Sequence, residues 1–106
     1  MAQQRVLVVK RGNACFAIPA SVVATAGDTV KWFNLTGGGA TVIFPHDGVF
    51  GVGVPGQGFG QRIKDTQDHQ PGNPVQAGLR HCPYKIYCEI TDSFAVGSSD
   101  PEIIVN

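Results

Sequence analysis

Cysteine and histidine are the side chains with which this chain is best equipped to do chemistry. It contains three cysteines, Cys15, Cys82 and Cys88, and three histidines. Because the number of cysteines is odd, at most one disulfide can form within the chain, and one thiol then remains unpaired. Cys82 and Cys88 are six residues apart in a stretch that reads as extended, so about 20 Å separates them. A disulfide needs Cα atoms within about 7 Å, and these two cysteines are therefore not expected to pair.

The sequence does not match the residue spacing of other catalytic and ligand-binding motifs. The glycine-rich segments at 48–51 and 56–60 precede no helix with Lys-Ser or Lys-Thr, so they do not match a phosphate-binding loop. Ser98, Ser99 and Asp100 lack the nucleophile elbow of a hydrolase. Carboxylates are few and scattered, and no catalytic pair stands out. We therefore expect a protein that is not an enzyme.

The composition argues against several classes of partner. Eight Lys and Arg balance eight Asp and Glu in 106 residues, whereas binding to nucleic-acid phosphates requires a basic face. No apolar run approaches the roughly 20 residues that span a bilayer. The apolar residues at 6–9 are too few for the core of a signal peptide. We expect one domain, 1–106, with no nucleic-acid partner and no membrane span.

The elements that must position the reactive side chains are short strands. Fourteen Gly and seven Pro favour many turns. Apolar alternation predicts strands at 6–10, 15–19, 22–25, 29–34, 40–44, 61–65, 84–90 and 102–105. In the strand at 84–90, one face is expected to carry Tyr84, Ile86, Cys88 and Ile90. Residues 66–73 and 91–100 read as loops, and no helix is predicted. Seven or eight short strands in a chain of this length indicate an all-β sandwich or barrel.

Three parts of the sequence resemble the cupredoxins, the plastocyanin-like copper proteins. The first is Ile-Pro-Ala-Ser at 18–21 followed by Ala-Gly-Asp-Thr-Val-Lys-Trp-Phe-Asn at 26–34. The second is Ala-Thr-Val-Ile-Phe at 40–44, and the third is Tyr-Lys-Ile-Tyr-Cys at 84–88 with a last strand at 103–105. Together they cover about half of the chain. The resemblance implies a two-sheet Greek-key β-sandwich.

The resemblance also implies four copper ligands, of which this chain keeps one. Copper-bearing members use a His after the Asn-ended strand, then a Cys, a His and usually a Met near the last loop. The first His position holds Ala40, the Cys matches Cys88 and the second His falls at about Thr91, while Met1 is the only Met. A blue-copper site needs two His and one Cys. We therefore expect a copper-free cupredoxin-like member without a cofactor, and the tail at 87–101 resembles such domains of bacterial proteins.

The same resemblance brings two cysteines together. Cys15 precedes the Ile18-Pro19 segment, which lies near the copper pole in the family, and Cys88 reaches that pole and points inward. We hypothesise a Cys15–Cys88 disulfide where the metal would have been. The alternative is three buried free thiols, because Cys is among the most buried residue types.

At the opposite pole the resemblance implies a second group. The strand at 40–44 runs away from the copper pole and the strand at 84–88 returns to it, which places His46 near His81 and Cys82. With Asp47 beside them and His69 on a loop, two His and a Cys would suit Zn²⁺ or copper. The spacing matches no compact metal motif, and it favours the alternative that each His is a solvated loop residue.

Two classes of function stay open on these observations. The first is a non-catalytic binding or structural module, periplasmic or extracellular, with an unknown protein or small-molecule partner. The second is a copper-binding or electron-transfer protein with an altered site, built on Cys88 or on His46, His81 and Cys82. Since the resemblance points outside the cytoplasm, Met1 is interpreted as an added start residue on a mature chain.

Overall fold

Short β-strands make up the regular structure of the chain. A computed structural model describes residues 2–44, 59–71, 74–76, 81–95 and 101–106. The strands are β1 (Gln3–Arg11), β2 (Ala14–Ile18), β3 (Ser21–Ala24), β4 (Thr29–Leu35), β5 (Ala40–Phe44), β6 (Phe59–Ile63), β7 (Asp68–His69), β8 (His81–Pro83), β9 (Lys85–Cys88), β10 (Ser93–Phe94) and β11 (Glu102–Val105). Their number exceeds the seven or eight expected because β7, β8 and β10 are only two or three residues long. Within these ranges there is no helix, and hence none that would cross a membrane.

The strands form three hydrogen-bonded sheets. Their orders are β2-β1-β4-β7, β10-β9-β5-β6 and β3-β11-β8. The pairs β1/β4 and β3/β11 are parallel, and both join strands that are distant in sequence. Only Tyr84 separates β8 from β9, so the second and third sheets continue into each other. They pack against the first sheet through one apolar core, which gives the all-β Greek-key sandwich that the sequence predicts.

Alternation within the strands decides which side chains enter the core. In β4, Val30 and Trp32 are buried while Lys31 and Phe33 are half-buried, as the period of two requires. The Trp32 indole packs edge-on against Tyr84, with ring centroids 5.7 Å apart. Its Nε1 donates a hydrogen bond of 3.2 Å to the Tyr84 hydroxyl. Burial raises the pKa of Tyr84 to about 12, so this phenol is neutral in the core.

A carboxylate in the turn before β4 holds the first strand in place. Asp28 accepts hydrogen bonds from the backbone N–H of Ala2 at 2.9 Å and of Thr25 at 3.0 Å. These bonds, the one from Ala2 first, lower the pKa of the Asp28 carboxyl. Gly27 adopts φ +98°, a left-handed conformation that glycine accepts without strain. The turn therefore fixes the start of β1 beside the start of β4.

The last third of the chain departs from the sequence prediction at three places. The strand expected to run through residue 90 ends at Cys88, and the chain turns where Asp92 N–H donates to the Glu89 carbonyl at 3.1 Å. Ile90, expected on the buried face, therefore lies in the turn with 47% of its surface exposed. The predicted loops at 66–73 and 91–100 contain β7 and β10, which pair with β4 and β9.

Candidate functional site

The positions of the copper ligands in the family meet at one end of β5 and β9. Ala40 and Cys88 are cross-strand partners and both are fully buried. Because cross-strand partners project to the same face, the Ala40 methyl group lies beside the Cys88 side chain. Thr91 follows in the adjoining turn, and its hydroxyl donates to the Cys88 carbonyl at 3.4 Å. The structure therefore brings together the three positions that the resemblance assigned.

A second cysteine reaches this end from the first sheet. Cys15 lies on β2, fully buried, with its Sγ 3.7 Å from the Thr91 Oγ1. Cys15 lies close enough to Cys88 to help raise the pKa of that thiol. Ser93 completes the group by donating to the Thr91 hydroxyl at 2.9 Å. Both cysteines are free thiols in the structure; both lie beside Thr91, and the disulfide between them stays a prediction. We call Ala40, Cys15, Cys88, Thr91 and Ser93 the thiol pole.

The chemistry of the thiol pole is set by burial. Exclusion from water, together with the proximity of Cys15, raises the pKa of the Cys88 thiol to about 12. Since the thiolate is the form that attacks electrophiles and binds metals, Cys88 is a weak nucleophile and a weak ligand at neutral pH. At neutral pH the thiol pole therefore contains Cys88 as a protonated thiol.

A buried amide shapes the loop that leads into β5. The Asn34 Nδ2 donates to the Gly38 carbonyl at 2.7 Å and to the Ile63 carbonyl at 2.9 Å. Its Oδ1 accepts from the Thr36 backbone N–H at 3.1 Å and from the Thr36 hydroxyl at 2.7 Å. In the described part of the chain, every buried side-chain nitrogen and oxygen has a partner. This network fixes the backbone immediately before Ala40.

An ion pair covers the same loop. The Arg62 Nε lies 2.6 Å from Glu89 Oε2, and the Arg62 Nη2 lies 3.0 Å from Glu89 Oε1. The hydrogen bonds from Arg62 lower the pKa of Glu89. A Cβ on Gly39 would lie 2.5 Å from the Arg62 Nη2, so a larger residue there would displace the ends of these two side chains. The Glu89 N–H donates to the Gly39 carbonyl at 2.9 Å, so the turn after Cys88 is tied to the start of β5.

The second predicted group, at the opposite pole, is not brought to one point. His81 and Cys82 are successive residues of β8 and so lie on opposite faces. His81 is exposed with its Nδ1 3.5 Å from Glu102 Oε2, whereas Cys82 is buried and burial raises its pKa. His69 lies on β7 in the first sheet, and His46 is outside the described residues. Among the residues that the structure describes, no three His, Cys, Asp or Glu are grouped to hold a metal.

Sequence reasoning missed a surface on the first sheet. Six apolar side chains on β2, β1 and β4 point away from the core: Leu7, Val9, Phe16, Ile18, Phe33 and Leu35. The sequence carried one sign of it, because β1 is apolar at consecutive positions 6–9 and must therefore present apolar residues on both faces. That the three strands are neighbours could not be read from the sequence. We call these six residues the outer apolar face.

The fold has counterparts of known structure among copper proteins. A proline-to-glycine variant of amicyanin, in its reduced Cu(I) form at pH 4, matches 98% of this chain and 82% of its own length, with a TM-score of 0.57 and 16% identity. Amicyanin from Paracoccus versutus (Thiobacillus versutus) matches over 96% and 81%, with a TM-score of 0.53 and 19% identity. A methionine-to-alanine variant, also with Cu(I), matches over 100% and 86%, with a TM-score of 0.55 and 15% identity.

These likenesses define the class of structure to which the chain belongs. Amicyanin is a cupredoxin, and the chain therefore has a cupredoxin-like fold. No protein-family model matches the sequence, and no curated protein matches it. At such low identity the likeness establishes the fold and leaves the activity to be argued from the site.

Proposed function

We propose that this chain is a non-catalytic cupredoxin-like domain without type 1 copper, which serves outside the cytoplasm as a binding or structural module. No metal or other cofactor takes part in that function. The partner is a protein or a small molecule, and the balanced charge of the chain as a whole argues against nucleic acid.

The observation that carries this proposal is the pairing of Ala40 with Cys88. A type 1 site needs imidazole nitrogens beside the cysteine sulfur, and here a methyl group is the cross-strand partner of that cysteine. At the second imidazole position, the Thr91 hydroxyl is already engaged by Cys15, Ser93 and the Cys88 carbonyl. The framework around the ligand positions is kept, while the groups that would bind copper are replaced.

The burial of Cys15 and Cys88 beside the same residue, Thr91, supports the disulfide as part of this proposal. In a periplasmic or extracellular setting, Cys15 and Cys88 would be oxidised by exchange with the disulfide of a thiol–disulfide oxidoreductase. The Sγ–Sγ bond forms as the oxidant's disulfide is reduced to two thiols, which receive the two electrons and two protons. The bond would connect β2 of the first sheet with β9 of the second. It would close a loop of roughly 70 residues, which the chain-entropy account values at about 4 kcal/mol.

The position of Cys15 and Cys88 beside the same residue also favours a second candidate function, the binding of copper. Soft thiolates select Cu(I), and a pair of cysteines could bind that ion even without imidazole ligands. The raised pKa of Cys88 works against this candidate, because both thiols must lose their protons to bind a metal. A copper-handling role therefore predicts that Cu(I) binding strengthens steeply as the pH rises.

Copper titration distinguishes these functions. The wild-type protein, reduced and purified without a chelator or an affinity tag, is mixed with Cu(II) and separately with Cu(I) in competition with a chromophoric chelator. The proposal expects no intense blue Cu(II)–thiolate band, and no Cu(I) taken from the chelator beyond that taken by the Cys15→Ser variant. A blue band in the wild type, or strong Cu(I) binding lost on Cys15→Ser, would refute it in favour of the copper-binding alternative.

A further inference from the structure

The outer apolar face is a continuous patch on the first sheet. Register places Leu7 between Ile18 and Phe33 in one cross-strand row. The next row has Val9 between Phe16 and Leu35. Leu7, Ile18 and Leu35 are 38%, 43% and 52% exposed, and the other three are half-buried. Single exposed apolar residues are common on protein surfaces, whereas contiguous groups of this kind mark interaction sites.

The charge around this face is one-sided. Arg5 and Lys31 are register partners in the row before Leu7, and Arg11 stands in the row after Val9. On the side of the outer apolar face, the described strands of this sheet carry three cationic side chains and one carboxylate, Asp68. This side of the sheet therefore holds an excess of positive charge, although the chain as a whole has no net charge. Among the described residues, the ion pair on this side of the sheet is that of Lys31 with Asp68, at 3.6 Å.

A groove lies at one edge of the same face. It has a volume of about 190 Å³ and is lined by Arg11, Phe16, Ala17 and Ile18. The groove thus combines an aromatic ring and aliphatic side chains with a guanidinium group. Such a lining suits an apolar side chain that has a carboxylate close to it.

From these observations we infer that the outer apolar face binds a short segment of another protein, in which apolar side chains are flanked by Asp or Glu. One apolar side chain of the segment fills the groove next to Arg11, and its carboxylates approach the cations at the two ends of the rows. The inference rests on the proposed function, a binding module, and it names the surface and the class of partner. It uses none of the thiol pole.

The structure favours this occupant over a second copy of the chain. Stacking two copies of the face would bring Arg5, Arg11 and Lys31 of one copy against the same cations of the other, and like charges in contact oppose association. Six residues also fall well short of the roughly 20 to 30 residues per side of a stable interface. A short segment needs a smaller contact area.

An anionic membrane fits the shape of this face less well. Membrane-surface elements insert apolar side chains about 5–10 Å into the headgroup boundary. Here Val9, Phe16 and Phe33 are half-buried in the sheet, and the groove is concave. A bilayer surface would leave that concavity unfilled, whereas a protein side chain occupies it.

Selection from a random peptide library is the probe for this surface. Displayed dodecapeptides are selected on the immobilised wild-type domain, and the affinity of synthetic peptides is then measured in solution. We expect enrichment of Leu, Ile, Phe or Tyr together with Asp and Glu, and affinity that falls as salt is added. Leu7→Thr and Leu35→Thr should each weaken binding about tenfold, a loss typical of one interface residue. The control Val23→Thr, at an equally exposed site (53%) on another sheet, should change affinity less than about twofold.

Charge variants and two alternative occupants complete the experiment. Arg5→Glu and Arg11→Glu should weaken the binding of the acidic peptides, while Lys64→Glu, which changes an exposed residue outside the strands, should have a smaller effect.

Four results would overturn the inference: no peptide selected, peptides without acidic residues, peptides insensitive to Leu7→Thr and Leu35→Thr, or tighter binding to phosphatidylserine vesicles than to peptides. Dimerisation abolished by Leu35→Thr would assign the face to a second copy instead. A blue Cu(II) complex in the titration described above would refute the proposed function whatever the peptides do, so the two failures are distinguishable.

Discussion

The thiol pole and the outer apolar face lie on the same fold and are built in opposite ways. At the thiol pole, Cys15 and Cys88 are buried, and the half-buried hydroxyls of Thr91 and Ser93 are engaged by neighbours within the chain. At the outer apolar face, apolar side chains such as Leu35 face water, and the nearby cations have few partners. The polar groups of the pole find hydrogen-bond partners within the chain, whereas the exposed apolar side chains of the face could be covered only by another molecule. On the functions proposed above, the pole stabilises the domain and the face is where binding takes place.

The largest expected effect concerns the two cysteines. In protein from an oxidising compartment, reduction of a Cys15–Cys88 disulfide should lower the free energy of unfolding by about 4 kcal/mol. The measurement is urea unfolding with and without reductant, next to mass spectrometry of the alkylated, denatured protein. The Cys15→Ser variant is the control and should not respond to reductant. Alkylation of all three thiols without reductant would show that the pole is held together by packing alone.

A second large effect is expected at Asn34, which supports the pole. Asn34→Ala removes the donors to the Gly38 and Ile63 carbonyls in a fully buried site. The Gly38 carbonyl keeps the Thr36 hydroxyl as a donor, whereas the Ile63 carbonyl and the Thr36 N–H both lose Asn34. Unsatisfied buried groups cost about 1–3 kcal/mol each, so we expect a loss of about 3 kcal/mol. Urea denaturation of Asn34→Ala and of Asn13→Ala, which alters an exposed turn residue, provides the comparison. Equal stability of the two variants would contradict the role given to this network.

Alkaline pH should weaken the buried side of the molecule. In the reduced protein the pKa of Cys88 rises from 9.0 to about 12, and that of Tyr84 from 10.0 to about 12, mainly through burial. Both groups bind their protons more tightly in the folded state, so their contribution is complete below pH 9 and is lost as the pH rises from 9 to 12. Urea midpoints measured across this window should fall, and less steeply in Cys88→Ala. A midpoint independent of pH would mean that neither group is as buried as described.

The smallest stability effect is expected on the outer apolar face. Leu35→Thr changes a side chain that is 52% exposed, and such surface substitutions stay within about 0.5 kcal/mol. Thermal unfolding beside Val23→Thr is the measurement, and both variants should resemble the wild type. A loss above about 2 kcal/mol, the range of buried apolar residues, would place Leu35 in the core and remove it from a binding surface.

The fold was largely predictable from the sequence because its strands alternate clearly. The strands at 40–44 and 102–105 were predicted with the bounds that the structure has. The strands β7 and β10 were missed, since two residues leave no period to detect. Ile90 was placed wrongly because alternation alone does not reveal that the chain turns after Cys88.

The candidate sites were less predictable because they depend on contacts between distant residues. The family resemblance led to the expectation that Cys15 and Cys88 approach, but it did not indicate that Thr91 lies against Cys15, 76 positions away. The outer apolar face depends on the register of β1 with β2 and β4. The sequence alone does not show that Phe33 lies in one row with Leu7 and Ile18.

The most direct test of the contrast between pole and face is to restore the imidazole ligands. Ala40→His combined with Thr91→His would add the two ligands that a His₂Cys site requires next to Cys88, with Cys15→Ser to prevent a disulfide. We predict that Cu(II) gives an intense blue band with this triple variant and none with the wild type, while peptide binding at the outer apolar face is unchanged. A blue band in the wild type, or none in a triple variant that circular dichroism shows to be folded, would contradict the account of the thiol pole as a copper framework without its ligands.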